Sequence, residues 1–256
     1  MSMNRYTHAQ SANHELRRAL DLDAEVFEAG LTAALDLSGV TDARVVVDLG
    51  AGTGTGSRLL RERFPEAEVI AVDNDPEMLG LLESHGFTSV AADLDQGFPH
   101  ISEQPVDLVW AASSLHHVTE PAQLLSEIRN ALAPRGTLVV VELATLPTFL
   151  SAPEHAALEQ RCHEAAEAQG WNQYEDWTNT LEDAGFTVTK TAQSTRAPVT
   201  AAARENAQHW LARLLRLENL AAEDRAVLTH LVGTSTEDLV LEPRANRIIW
   251  VCTAAE

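Results

Sequence analysis

The stretch VVVDLGAGTGTG, Val45 to Gly56, constrains the fold more than any other part of the chain. Three β-branched residues and Asp48 lead into Gly50, Gly52, Gly54 and Gly56, after which a helical pattern runs from Ser57 to Phe64. A strand entering a tight turn and leaving as a helix is the first half of a parallel crossover unit. Similar apolar runs recur at Glu68–Val72, Val106–Trp110 and Thr137–Val141, with a weaker one at Thr88–Ala91. Helical spacing fills the gaps at Pro76–Ser84 and Pro121–Leu132. Strands apolar on both faces and alternating with helices predict a parallel sheet covered on each side, a doubly wound α/β core. PRGT, Pro134–Thr137, predicts the turn between the last of these helices and its strand, with Gly136 at positive φ.

Outside this core the pattern is helical. Asn13–Leu37 reads as one or two N-terminal helices, Pro153–Gln169 and Tyr174–Ala184 as two more, and Val199–Leu220 as a long one followed by Glu223–Leu231. Phe186–Thr191 and Arg247–Cys252 read as late strands. With 256 residues the chain is expected to form one domain: a helical cap over 1–40, a core over 41–142, helical insertions over 143–185 and 198–245, and terminal strands over 186–197 and 246–256. The net charge of -20 disfavours nucleic acid and anionic membrane surfaces as partners. No run approaches the length of a membrane span, and Cys162 and Cys252 lack metal or disulfide spacing, so a cytoplasmic protein is expected.

The glycine loop lies where open parallel sheets bind ligands, beyond the carboxyl end of the first strand. The dinucleotide pattern G-x-G-x-x-G fails, because its third glycine falls on Thr55 or Ser57, and the phosphate-loop pattern fails because the only lysine is Lys190. The remaining D-x-G-x-G-x-G places a carboxylate where a pyrophosphate would be repelled but a cation or a donor-rich zwitterion would be favoured.

That pattern resembles the first motif of the class I S-adenosylmethionine-dependent methyltransferases. Four further stretches follow in that family's order: AVDNDPEML, AADLDQGFP, VDLVWAASSLHHV and LAPRGTLVVVE. The resemblance covers about Val45 to Glu142 and is closest to actinobacterial small-molecule enzymes of the ubiquinone/menaquinone-methyltransferase-like group. It implies a Rossmann-like seven-stranded sheet with an antiparallel last strand pairing Phe186–Thr191. It also implies S-adenosylmethionine as cofactor and S-adenosylhomocysteine as product. Asp73 would take both ribose hydroxyls, with Asn74 and Met78 beside the adenine and Asp93 and Leu94 at its amino group. The cradle would comprise Asp48, Gly50, Ala51, Gly52, Thr53 and Gly54, with Ala111 and Ser113 from the fourth strand. Asp48 has an alternative role, bonding loop N–H groups, and Asp93 has one as a turn starter.

His116 and His117 follow the fourth strand, where the methyl group should emerge, and Glu142 ends the fifth. A histidine near its ordinary pKa suits removal of a proton from a hydroxyl or amine acceptor, while a packed or loop-capping histidine is the structural alternative. Methyl transfer needs chiefly alignment and exclusion of water, so the acceptor leaves little trace in sequence. The insertions are expected to act as lids over an apolar pocket for a small-molecule acceptor, in a monomer or homodimer. Tyr6 or Trp110 is the aromatic expected near the sulfonium, while Trp171, Trp177 and Trp210 read as packing. Cys162, His163 and His155 have no third ligand at metal spacing, so no metal is expected. Two other classes remain: an NAD(P)-dependent oxidoreductase on the same core, and a non-catalytic S-adenosylmethionine-binding regulator.

Overall fold

The computed structural model describes residue 15 and residues 17–101, 103–171 and 175–254. Tyr6 therefore lies outside the described residues, as does part of the N-terminal helical reading. The chain divides into two compact units. One comprises Thr32–Leu143, Tyr174–Gln193 and Arg247–Glu256. The other comprises the described residues up to Leu31 together with Ala144–Gln173 and Ser194–Asn246. Residues 175–185, expected to belong to the first insertion, fall with the sheet.

Six elements of the sheet unit follow the sequence pattern closely: β1 Val45–Leu49, α2 Thr55–Arg63, β2 Glu68–Asp73, α3 Pro76–Ser84, β3 Thr88–Ala91 and β4 Val106–Ala112. The helix Glu28–Asp36 that precedes them is α1, and Pro121–Ala131 after β4 is α4. Then come β5 Leu132–Leu143, α6 Thr178–Asp183, β7 Phe186–Arg196 and β8 Leu241–Ala254. Strands β1 to β4 pair in parallel in the order β3-β2-β1-β4, with β5 parallel to β4 and β8 antiparallel to β5. β7 pairs with β8, so the last strand lies where the family resemblance implied. Every residue of β1 is buried, the pattern required of a strand covered on both faces.

The register brings Asp48 beside Ala71 and Trp110, so the carboxyl ends of β1, β2 and β4 lie side by side. All loops that carry candidate residues leave from this edge. PRGT departs from expectation. Leu132–Leu143 is one continuous strand with a register shift opposite Val106 and Leu108, and Gly136 is not among the residues at positive φ. Gly136 is needed for closeness instead, since a Cβ there would fall 2.7 Å from the Val106 carbonyl oxygen.

The second unit holds α5 Pro153–Ala168, α7 Ala201–Leu214 and α8 Ala222–Gly233 around an apolar cluster that includes Phe27, Phe149, Leu158, Leu211 and Leu228. It also holds β6, Thr148–Leu150, which pairs antiparallel with the first residues of β8 and makes eight strands among the described residues rather than the expected seven. β6 is fixed by Glu159 of α5. This buried carboxylate accepts from the backbone N–H groups of Phe149 and Leu150, each at 3.0 Å.

Candidate functional site

The loop after β1 is drawn across the end of β2, because the N–H groups of Gly50 and Ala51 both donate to the Val72 carbonyl at 2.9 Å. Gly50 has φ 70, and a Cβ on it would fall 2.5 Å from Cβ of Ser114, so backbone conformation and crowding both demand glycine. Gly52 differs: nothing lies within 4 Å of where its Cβ would be, which leaves open space beside the loop. Its N–H donates to Asp73 Oδ2 at 2.7 Å, while Asp73 Oδ1 accepts from the Asp75 N–H at 2.9 Å. Asp73 thus links the β1 and β2 loops and, with about four lone-pair positions on its carboxylate, retains acceptor capacity.

Asp48 faces inward. It is 3% exposed, and its Oδ2 accepts from Ser57 Oγ at 2.6 Å, with a further bond from the Ser57 backbone. A Cβ on Gly56 would stand 2.8 Å from both Asp48 carboxylate oxygens, so the glycine makes room for the acid. Burial raises the Asp48 pKa to about 6 against the pull of these bonds. The carboxylate therefore anchors the first turn of α2, whose own preceding residue, Gly54 at φ 81, supplies no side-chain cap. The alternative of a loop-bonding acid matches this arrangement. Ser57 carries no motif signal of its own and becomes legible only once Asp48 is seen to be buried.

Around the opening, Ala51 and Thr53 are buried, as are Met78 at the start of α3 and Ala111 in β4, while Asn74 is exposed. Leu94 is half-buried. Asp93 is exposed and accepts from the Asp95 N–H at 3.1 Å, capping the short turn Leu94–Gln96. Trp110 is 1% exposed within the sheet, so the structure does not present it to a ligand as sequence reading had expected. Two buried hydroxyls at this edge, Thr53 Oγ1 and Ser114 Oγ, have no hydrogen-bond partner. Buried polar atoms without partners are uncommon in folded proteins and here accompany the open space beside Gly52.

The turn after β4 begins at Ser113, the one described non-glycine residue with positive φ, at 54°. Such strain persists only where the surroundings impose it. His116 and His117 follow on a single helical turn, their ring centroids 4.1 Å apart. Nδ1 of His116 lies 2.8 Å from Oε2 of Glu142, and the His116 N–H donates to Oε1 at 3.4 Å. The Glu142 side chain is 7% exposed and that of His116 is 42% exposed, so the carboxylate is sunk in the sheet and the ring reaches outward. The Glu142 bond raises the His116 pKa, whereas burial and neighbouring His116 lower that of His117. Adjacent in sequence, the two imidazoles are electrically distinct.

Residues 47–140, which include the glycine loop, Asp73 and both histidines, match the family described as methyltransferase domain. Over these residues the chain is similar to a methyltransferase domain. Trans-aconitate 2-methyltransferase of Yersinia pestis is 33% identical over 153 residues, covering 59% of this chain and 53% of that protein. The enzyme of the same name from an Acidovorax species is 34% identical over 125 residues, covering 48% and 46%. The chain thus spans about half the length of these relatives. In fold the chain is similar to a putative methyltransferase from Bacillus halodurans, with TM-score 0.53 and 17% identity over 89% of this chain and all of that one. It is equally similar, at TM-score 0.53 and 18% identity over 93% and 94%, to a structure of a Haloferax volcanii methyltransferase activator with its putative methyltransferase.

Proposed function

We propose that this methyltransferase binds S-adenosylmethionine at the carboxyl edge of β1, β2 and β4 and methylates a small molecule. The observation that carries the reading is the coupled loop pair: Asp73 accepts from Gly52 of the glycine loop while keeping lone pairs for a donor-rich ligand. The open space beside Gly52 and the two partnerless hydroxyls of Thr53 and Ser114 fit a polar ligand in contact with the backbone. The bound sulfonium supplies an activated methyl group with a neutral leaving group. Asp73 would hold the ribose diol, Asn74 and Met78 the adenine, and Asp93 and Leu94 the adenine amino group. Gly50, Ala51, Gly52, Thr53, Gly54, Ala111 and Ser113 would shape the cradle. Asp48 would act from beneath, holding the start of α2.

The chain's own contribution to the chemistry is alignment and a dry site. The two buried thiols without disulfide or metal spacing fit a cytoplasmic protein. Among the described residues no helix is long and apolar enough to cross a membrane. The Asp73→Ala variant tests the cofactor assignment. Loss of two charge-assisted bonds should weaken S-adenosylmethionine binding by roughly 2 to 4 kcal/mol. Unchanged affinity in calorimetric titration would reject it.

A further inference from the structure

Resting on that reading, we infer that the acceptor is a molecule that loses a proton as it is methylated, a phenol, an alcohol or an amine. His116 takes the proton, Glu142 is its positioning residue, and a free carboxylate is not a substrate. The dyad geometry fixes the direction of transfer. With Nδ1 held 2.8 Å from a buried carboxylate, the single ring proton of neutral His116 sits on Nδ1, and Nε2 is left as a bare acceptor. The His116 side chain is 42% exposed against 7% for that of Glu142, and it follows β4 on a turn whose first residue, Ser113, is strained.

The acceptor atom forms its bond to the methyl carbon as the methyl–sulfur bond breaks, with that electron pair remaining on sulfur. The proton of the acceptor passes to Nε2. The resulting imidazolium is paired with Glu142, so charge developing on His116 is compensated where it forms.

Electrostatics separate the acceptor classes. Among the described residues, Glu142 on β5 acts on both imidazoles and Asp73 on β2 acts on that of His117. An acceptor that is already anionic would meet the Glu142 carboxylate beside His116 and would have no proton to give the base. A neutral acceptor avoids that repulsion and uses His116. The trans-aconitate in the name of the relatives is a tricarboxylate, so acceptor choice would differ here.

The test combines imidazole nitrogen NMR of the full chain with a panel of methyl acceptors. The NMR should place the neutral His116 proton on Nδ1, and Glu142→Gln should lower the His116 pKa. Among catechol, benzyl alcohol, benzylamine and benzoate, transfer should be confined to the first three. His116→Gln should cut kcat by about 100-fold while S-adenosylmethionine affinity stays within about 3-fold. Glu142→Gln should shift the acid limb of the pH–rate profile to lower pH, an effect a merely structural role would not produce. A neutral proton on Nε2, transfer to benzoate, absence of transfer to the other three, or full activity in His116→Gln would overturn the inference. If the wild type binds S-adenosylmethionine in any of these cases, the methyltransferase reading survives; failure of that binding removes the reading itself.

Discussion

Asp48 and Gly50, two residues apart, are held in their roles by different physics. A Gly50→Ala chain must place a Cβ 2.5 Å from Ser114 at φ 70, and should lose about 2 to 4 kcal/mol in denaturant unfolding, with loss of cofactor binding. Asp48 titrates instead. Its pKa is raised by burial from 3.8 to about 6 in the folded chain, so the stability linked to protonation is fully present below pH 4 and is lost as pH rises through 6. Relative to Asp48→Asn, the wild type should therefore gain about 1 kcal/mol between pH 7 and pH 5 in urea melts. A pH-independent difference would mean that the acid is not buried. The sequence made Asp48, the glycines and Asp73 legible because a tight turn restricts which residues fit. It left Asp48 with two roles because spacing does not tell whether a strand-end carboxylate faces outward or beneath the loop. Ser57 and Ser114 were missed for the same reason: ordinary serines gain meaning from what they touch.

Elements with a strong period were readable. β1, β2 and β4 announced themselves by continuous apolar runs and α3 by helical spacing, and in the structure Asp75 caps α3 by accepting from the Glu77 N–H at 2.8 Å. β6 was not readable, since three residues carry no period, and its stability comes from elsewhere in the chain. The clamp is Glu159, raised to about pKa 7 by burial while it holds two backbone N–H groups. Glu159→Ala leaves both groups without an acceptor and should cost about 2 to 5 kcal/mol in chemical denaturation, with earlier amide exchange at Phe149 and Leu150. Retained exchange protection would show that pairing with β8 alone holds the strand. PRGT shows the converse error: proline and glycine argue for a turn, yet the strand continues through them because pairing with β4 shifts register at that point.

Over the whole molecule, 38 acidic residues face 18 basic ones. Self-repulsion on this scale opposes compactness and is screened by salt, so the thermal midpoint should rise between about 0.05 M and 0.5 M sodium chloride. A flat response would mean that local ion pairs such as Arg161–Asp224 already offset the excess. The helical unit is assembled from segments scattered along the sequence, whose packing leaves no motif. That is why the cofactor edge was readable and the acceptor was not. The glycine loop and Asp73 are proposed to bind S-adenosylmethionine, and the rest of the functional reading depends on that binding. Its most direct test is calorimetric titration of the purified chain with S-adenosylmethionine and S-adenosylhomocysteine beside NADH and ATP. The account predicts micromolar binding of the first two alone, whereas binding of NADH, or of none of the four, would contradict it.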